Sequence, residues 1–575
     1  MKKVLLLIIT LSALYSCNEV MDTRPLSTYT AEDIWGSFDL AEGFIFTCYS
    51  NTMGNLNNWR EDVLTKEIIN APWGGSYVSE KTEEMDVYTD VGWNNFSNIR
   101  AVNLALRELE MAPFSDYQRA LLMGEAYFMR SVIYFSLTKR FGGIQIVKEV
   151  LEQDANFFIG RSTIKEAYDF VLSDLEMASE LLPVENVRGR ASKGAAYALT
   201  MRVALQAGAF LNDNSYYRKV IETGDKLFAL GKYSLDSYSN LFNAYSSAVV
   251  SPENILLHER SAINTTFEGT PMQSLVPNSD NSTEKLSTIA LVLYPLVESF
   301  EGWMNHAPTQ DLVDNYLVTD ADGKEKRWDQ TSYITSKLTV REKMYTKRDN
   351  RFYATIVYDS TKYFNNWVYT RKHGNASNNV FPIYGGNINE GTTSTGYLFK
   401  KYVYEDKKLW YSDRVDFCYS LLRLGEAYLN YAEAALLLGD ETTARTYITK
   451  TYQGHGGFSN TITASGDALW EAYKRERTIE MILECGDRYN SLLRWGMQKT
   501  GGLVSGYENS GYVIPELNGQ FTGIAIDSLG FNYQLFNLNE RNNLPMKFSP
   551  KRYLFPVPQG KIDANPALTQ NPGWN

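Results

Sequence analysis

The chain has 575 residues, 44% of them hydrophobic, 21% charged, and a formal net charge of −11. That acidity excludes a general nucleic-acid binder, whose affinity rests on clustered Lys and Arg, and four cysteines without paired metal-type spacing exclude a disulfide scaffold or a zinc module. Aromatic residues make up 13%, with 39 Tyr and 11 Trp, which can fill a large core and also supply flat faces for sugar rings.

At the start, Met1-Lys2-Lys3 is basic, Val4 to Leu14 is apolar apart from Thr10 and Ser12, and Leu14-Tyr15-Ser16-Cys17 places a cysteine after a small residue. The apolar run is shorter than the roughly 20 residues of a membrane span and fits the roughly 7–15 of a cleaved export signal. The order is that of a bacterial lipobox. Residues 1–16 are thus expected to be a lipoprotein signal peptide, with Cys17 the first mature residue and the lipidation site. Two or more acyl chains there would hold the protein at a membrane. Cys48, Cys418 and Cys485 remain, enough for one disulfide at most.

Further along, Gly, Asn, Ser, Thr and Tyr make the stretch 50–98 loop-rich, and a helix is predicted at 99–111. Gly124-Glu125-Ala126-Tyr127, Gly194-Ala195-Ala196-Tyr197 and Gly425-Glu426-Ala427-Tyr428 share a local pattern inside helical apolar periods. In the third, Leu421, Leu424, Tyr428, Tyr431, Ala435 and Leu438 follow three- and four-residue steps. Small residues alternating with aromatics are how tetratricopeptide-type helix pairs stack. Other helices are predicted at 163–182, 215–230 and 467–497. The stretches 232–410 and 501–575 are again loop-rich, with short runs such as Tyr353 to Tyr358 that read as strands. The expectation is a mainly α fold: a tetratricopeptide-like helical scaffold around 99–230 and 416–497, with long irregular insertions and short strands. Scaffold lies on both sides of the longest excursion, so residues 17–575 read as a single interleaved domain.

There is no HExxH, GxSxG or GxxxxGK[ST] sequence, and His258, His306, His373 and His455 are scattered. A glycosidase needs only two carboxylates about 5–9.5 Å apart, which 67 acidic residues leave open. Glu125 and Glu426 read as structural. No catalytic residue, metal site or cofactor is expected.

Sugar binding needs aromatic planes in loops beside polar groups. The stretch Asn70-Ala71-Pro72-Trp73-Gly74-Gly75-Ser76-Tyr77 is the densest early candidate, because its Pro and Gly pair place Trp73 in a loop. Trp303 and Trp367 follow. Asn70, Trp73, Tyr77, Trp303 and Trp367 are therefore the candidate glycan contacts, and core packing is an equal alternative for each Trp. Trp93, Trp470 and Trp495 sit in helical contexts and read as core.

Several segments resemble the SusD/RagB family of Bacteroidetes surface lipoproteins. They are Gly124 to Arg130 running on to Lys139-Arg140-Phe141-Gly142-Gly143, Arg161-Ser162-Thr163, Leu422 to Ala434, Arg475-Glu476-Arg477 through Arg494-Trp495-Gly496, and the tail from Tyr553 to Trp574. Gln145 in place of Pro, Glu484-Cys485-Gly486-Asp487, and Gln559-Gly560-Lys561 depart from the family pattern. The resemblance implies an outward-facing outer-membrane protein that binds oligosaccharides and sits as a lid over a SusC-type TonB-dependent transporter. The RagB branch makes a peptide-capturing subunit the alternative, and a surface glycoside hydrolase is a further one. The motifs identify scaffold, so the glycan itself is not legible.

Overall fold

The computed structural model describes residues 29–56, 59–70, 77–276, 302–364, 366–374, 393–405, 411–540 and 542–574. Helices α1 (Phe38–Thr52), α2 (Phe96–Met111), α3 (Asp116–Phe141), α4 (Ile164–Leu181), α5 (Lys193–Leu211) and α6 (Asn214–Ala229) form a first block. Their starts follow from local chemistry: Ser115 with Gln118 and Thr163 with Glu166 make reciprocal capping boxes, satisfying amides that the first turn leaves orphaned. A second block holds α7 (Leu424–Leu437), α8 (Glu441–Gly454), α9 (Gly466–Met481) and α10 (Asp487–Thr500). Sequence neighbours pack pairwise, and α6 packs on α7, so the stack continues across the long excursion. Gly224 permits that contact, since a Cβ there would lie 2.5 Å from the Tyr431 ring. This is the tetratricopeptide-like arrangement expected from the small and aromatic alternation.

Three predicted elements are corrected. The single helix at 467–497 is two, because Leu483, Cys485 and Gly486 take positive φ and turn the chain between α9 and α10. The scaffold segment from 416 opens with a strand, Phe417–Arg423, before α7. In the expected strand Tyr353–Tyr358, only Ile356–Val357 is strand, because Asn350–Thr355 is a short helix capped by Asp349.

Strands β1 (Ile68–Asn70), β2 (Asn254–Arg260), β3 (His306–Pro308), β4 (Thr361–Tyr363), β5 (Asn366–Val368), β6 (Phe417–Arg423), β7 (Phe521–Ile526) and β8 (Tyr533–Leu538) pair antiparallel as β1–β3, β2–β6, β4–β5 and β7–β8. One hydrophobic cluster runs from Trp35 to Trp574 and includes residues of both helix blocks and of the excursions. The C-terminal tail closes back on the end of α3: Asn571 Nδ2 donates to the carbonyls of Phe141 and Phe555, and Arg161 bonds the Thr569 carbonyl. The turn after α3 needs glycine, since a Cβ on Gly143 would lie 1.8 Å from the Ser162 carbonyl oxygen.

Charge lies deep inside the second block. Arg423 bonds Glu253 at 2.9 Å and Glu484 at 2.7 Å, and Arg351 bonds Asp349, Glu476 and Glu480. His455 bridges Glu480 through Nδ1 at 2.7 Å and Glu253 through Nε2 at 2.9 Å. Burial opposes a charged imidazole, but the two carboxylates outweigh it and hold the His455 pKa up at about 10. Every member is buried, so loss of one partner strands a charge and costs about 3–5 kcal/mol. Glu125 and Glu426 are likewise buried and structural, paired with Arg190 and Arg202.

Candidate functional site

The ladder β1–β3 positions the early candidates. Asn70 stands opposite His306 and is 1% exposed. Its Nδ2 donates to Glu540 at 3.2 Å and its Oδ1 lies 3.0 Å from His306 Nδ1. Burial lowers the His306 pKa to about 3, so the ring is neutral, and because Asn70 presents an acceptor the proton sits on Nδ1. Buried Lys81 closes the group by bonding Glu540 at 2.6 Å and the Ile68 carbonyl at 2.6 Å. Asn70 thus fixes the ladder and presents no free amide, which corrects its reading as a sugar contact. Trp73 and Cys17 lie outside the described residues.

Tyr77 is half-buried at positive φ, at the head of the short helix Val78–Thr82, with the Arg60 guanidinium 4.8 Å from its ring centroid. Arg60 is held by Glu80, and its neighbour Trp59 lies 5.8 Å from the His306 ring. Tyr77 therefore belongs to the same neighbourhood as the Asn70–His306 pair. Trp303 is three residues before His306 and 37% exposed. Its backbone N–H donates to the Gln273 carbonyl at 2.7 Å, and its indole N–H donates to the Gln273 side-chain oxygen at 3.1 Å when that amide also bonds the Glu268 carbonyl. Tyr411 stands 5.6 Å away, its ring tilted by 60°. A held indole nitrogen with an exposed ring and a second aromatic alongside is a geometry suited to stacking a pyranose.

Trp367 is on the hairpin β4–β5, opposite Lys362, and is 45% exposed. Arg341 lies 5.6 Å and Lys362 5.8 Å from its ring. Among the nine described tryptophans, Trp303 and Trp367 are the two more than a third exposed. Trp93 and Trp495 are buried as expected, and half-buried Trp470 stacks on Tyr473 at 5.4 Å. The structure groups Tyr77 with the ladder that leads to Trp303, whereas Trp367 stands on its own hairpin. Tyr411, Arg341 and Lys362 were not foreseen. The adjacency Trp410-Tyr411 and the basic run around 337–372 were the available signals.

Glu253, His455 and Glu480 are close enough to suggest a metal, but both ring nitrogens of His455 are bonded to the carboxylates and Arg423 shares them, which makes the group an ion network. A cleft of about 560 Å³ holds Asp311, whose pKa burial raises to about 6. Its Oδ2 accepts from the Thr522 amide at 2.8 Å, and Asp314 accepts from Trp328 Nε1 at 2.7 Å. The five cleft carboxylates, Glu67, Asp311, Asp314, Glu471 and Glu516, are matched by Lys66, Arg327, Lys474, Arg475 and Arg488. Glu67 pairs with Arg488, Asp314 with Arg327 and Glu471 with Lys474, while Asp311 is held by the Thr522 amide. No helix among the described residues is long and apolar enough to cross a membrane.

A sequence model of the SusD family matches residues 263–574, and a second one, described as starch-binding and associating with outer membrane, matches residues 42–205. The first covers more than half of the chain, and the chain belongs to the SusD family. The SusD-like protein P38 of Formosa agariphila is 26% identical over 197 residues, which is 31% of this chain and 37% of that protein, so just over a third of the relative is spanned. A SusD-like protein of Bacteroides fragilis superposes with a TM-score of 0.75 at 24% identity, over 95% of this chain and 98% of that one. A SusD-like carbohydrate-binding protein of the same species gives 0.68 at 17% identity, over 93% and 100%. These structures share the fold.

Proposed function

We propose that the chain is a surface glycan-binding lipoprotein, anchored in the outer membrane through acylated Cys17, that captures oligosaccharides and delivers them to a SusC-type TonB-dependent transporter. Capture is by binding alone, without catalytic turnover. The observation that carries the reading is the exposed Trp303 ring, its indole nitrogen held by Gln273 and Tyr411 alongside. Membership of a family with a carbohydrate-binding structural relative supports it, as does a model described as associating with outer membrane. Two exposed Trp faces give weak, releasable affinity, because each ring adds only about 0.5–1.5 kcal/mol beyond its burial. That suits a protein that hands its cargo on.

A peptide cargo is the second reading. Among the described residues strand β2 pairs with β6 alone, and residues 254–257 line a groove of about 440 Å³ with Arg188, Arg190 and Lys232, where an extended backbone could add as a strand.

Gentle affinity purification from detergent-solubilised envelopes tests the partnership. A lasting lid buries roughly 2,000 Å² or more, so a TonB-dependent barrel should copurify. Repeated recovery of the chain alone contradicts delivery to a transporter.

A further inference from the structure

The charge around Trp367 is opposite to that of the chain. Between Lys337 and Lys372 nine side chains are basic and three acidic, in a protein of formal net charge −11. All three acids are engaged: Asp349 with buried Arg351, Asp359 with Arg371, and Glu342 with the amide and hydroxyl of Thr339. Arg341 and Lys362 are exposed and make no carboxylate ion pair within 4 Å among the described residues, although Arg341 attracts the neighbouring Glu342 and meets the Tyr358 hydroxyl. Both lie against the Trp367 ring, at 5.6 and 5.8 Å from its centroid. The turn between β7 and β8 joins this face, because the Val340 N–H donates to the Gly530 carbonyl at 2.8 Å. Gly530 also abuts the Arg371 guanidinium, and Leu529 and Phe531 on either side of it are exposed. Trp367, Arg341 and Lys362 therefore form a basic, aromatic patch, bordered by Arg371, which Asp359 and Asp527 of the turn neutralise, and by exposed Phe531.

A neutral sugar needs a ring to lie on and amides for its hydroxyls, and gains little from unpaired cations. An acidic sugar gains from both: its C–H face packs on indole while a guanidinium fork meets a carboxylate or sulfate ester in two parallel bonds. We propose that this surface is a subsite for acidic polysaccharide, with a sugar ring on Trp367 and its carboxylate or sulfate met by Arg341 and Lys362. The inference rests on the glycan reading above and narrows its substrate class. The acidity of the rest of the chain repels a polyanion, which confines binding to this locally basic face.

Native affinity electrophoresis of the chain in gels containing polygalacturonate, κ-carrageenan or neutral dextran tests it. The expected result is retardation by at least one polyanion, weakened by added salt because the cations are exposed. The Arg341→Gln/Lys362→Gln double variant should lose about tenfold in affinity, with an unchanged melting temperature. Carboxylate and sulfate are told apart by which polyanion retards. Absence of retardation by both polyanions, or equal retardation of the double variant, overturns the proposal. Retardation by dextran alone leaves glycan capture standing and removes the acidic subsite. Sedimentation with phosphatidylglycerol vesicles, without retardation by either polyanion, assigns the face to a membrane surface and also overturns it.

Discussion

Asn70 and His306 face each other across the β1–β3 ladder, with Asn70 Oδ1 3.0 Å from His306 Nδ1. This buried pair ties the end of the early excursion to the strand that follows Trp303, and Glu540 and Lys81 complete it from the other side. Asn70→Ala should therefore lower stability by about 1–3 kcal/mol, because it leaves the His306 N–H and a Glu540 oxygen without their partner. Thermal melting of the variant checks this, and an unchanged melt would show that the pair contributes nothing.

The same ring sets an acid limit. Burial depresses the pKa of His306 to about 3 and that of His258 to about 4, below their ordinary value of about 6.5. A depressed folded-state pKa gives stability that is present above the unfolded value and lost as pH falls. Stability should thus decline from about pH 6.5 downward toward 3–4, and His306→Gln should flatten part of that slope. Denaturant titrations across this range measure it.

His455 acts in the opposite direction. Its pKa is held at about 10, so its contribution is complete below about 6.5 and is lost as pH rises through about 10. The groups facing it are Glu253, Glu480, Arg423 and Arg351, all buried. Wild type should lose a few kcal/mol between pH 7 and 10, and His455→Gln should be less stable at pH 7 with a shallower alkaline slope. Parallel pH profiles with the same slope would contradict the imidazolium assignment.

The proposed anchoring rests on one atom, the Cys17 thiol. In cells lacking the transporter, Cys17→Ser should leave the melting temperature unchanged and move the protein from the membrane fraction to the soluble one, since acylation is then the one attachment proposed. Retention in salt-washed membranes lacking the transporter would contradict it.

What could be read in advance follows physical range. The helices α3 to α7 were legible because helix periodicity and small-residue contacts are written within a few residues, whereas α8 was not read. The break between α9 and α10 was hidden, since only Gly486 of its positive-φ residues is a glycine. Asn70 was misread because a polar residue beside Pro and Gly looks like loop, while its partner Glu540 is distant in sequence and tertiary structure alone buries both. Trp303 and Trp367 were picked from Gly- and Asn-containing surroundings, with core packing an equal alternative, and both are exposed. The cations on Trp367 went unnoticed because the net charge of the whole chain conceals a local reversal.

Paired calorimetry and thermal melting of Trp303→Ala test the central claim, capture of glycan on an exposed aromatic face, most directly. The ligand is whichever oligosaccharide the wild-type chain binds best. The account predicts a loss of at least about tenfold in affinity, about 1.4 kcal/mol, with little change in the melt. Unchanged affinity, or a melt lowered by the roughly 3–5 kcal/mol typical of a truncated core Trp, would contradict it.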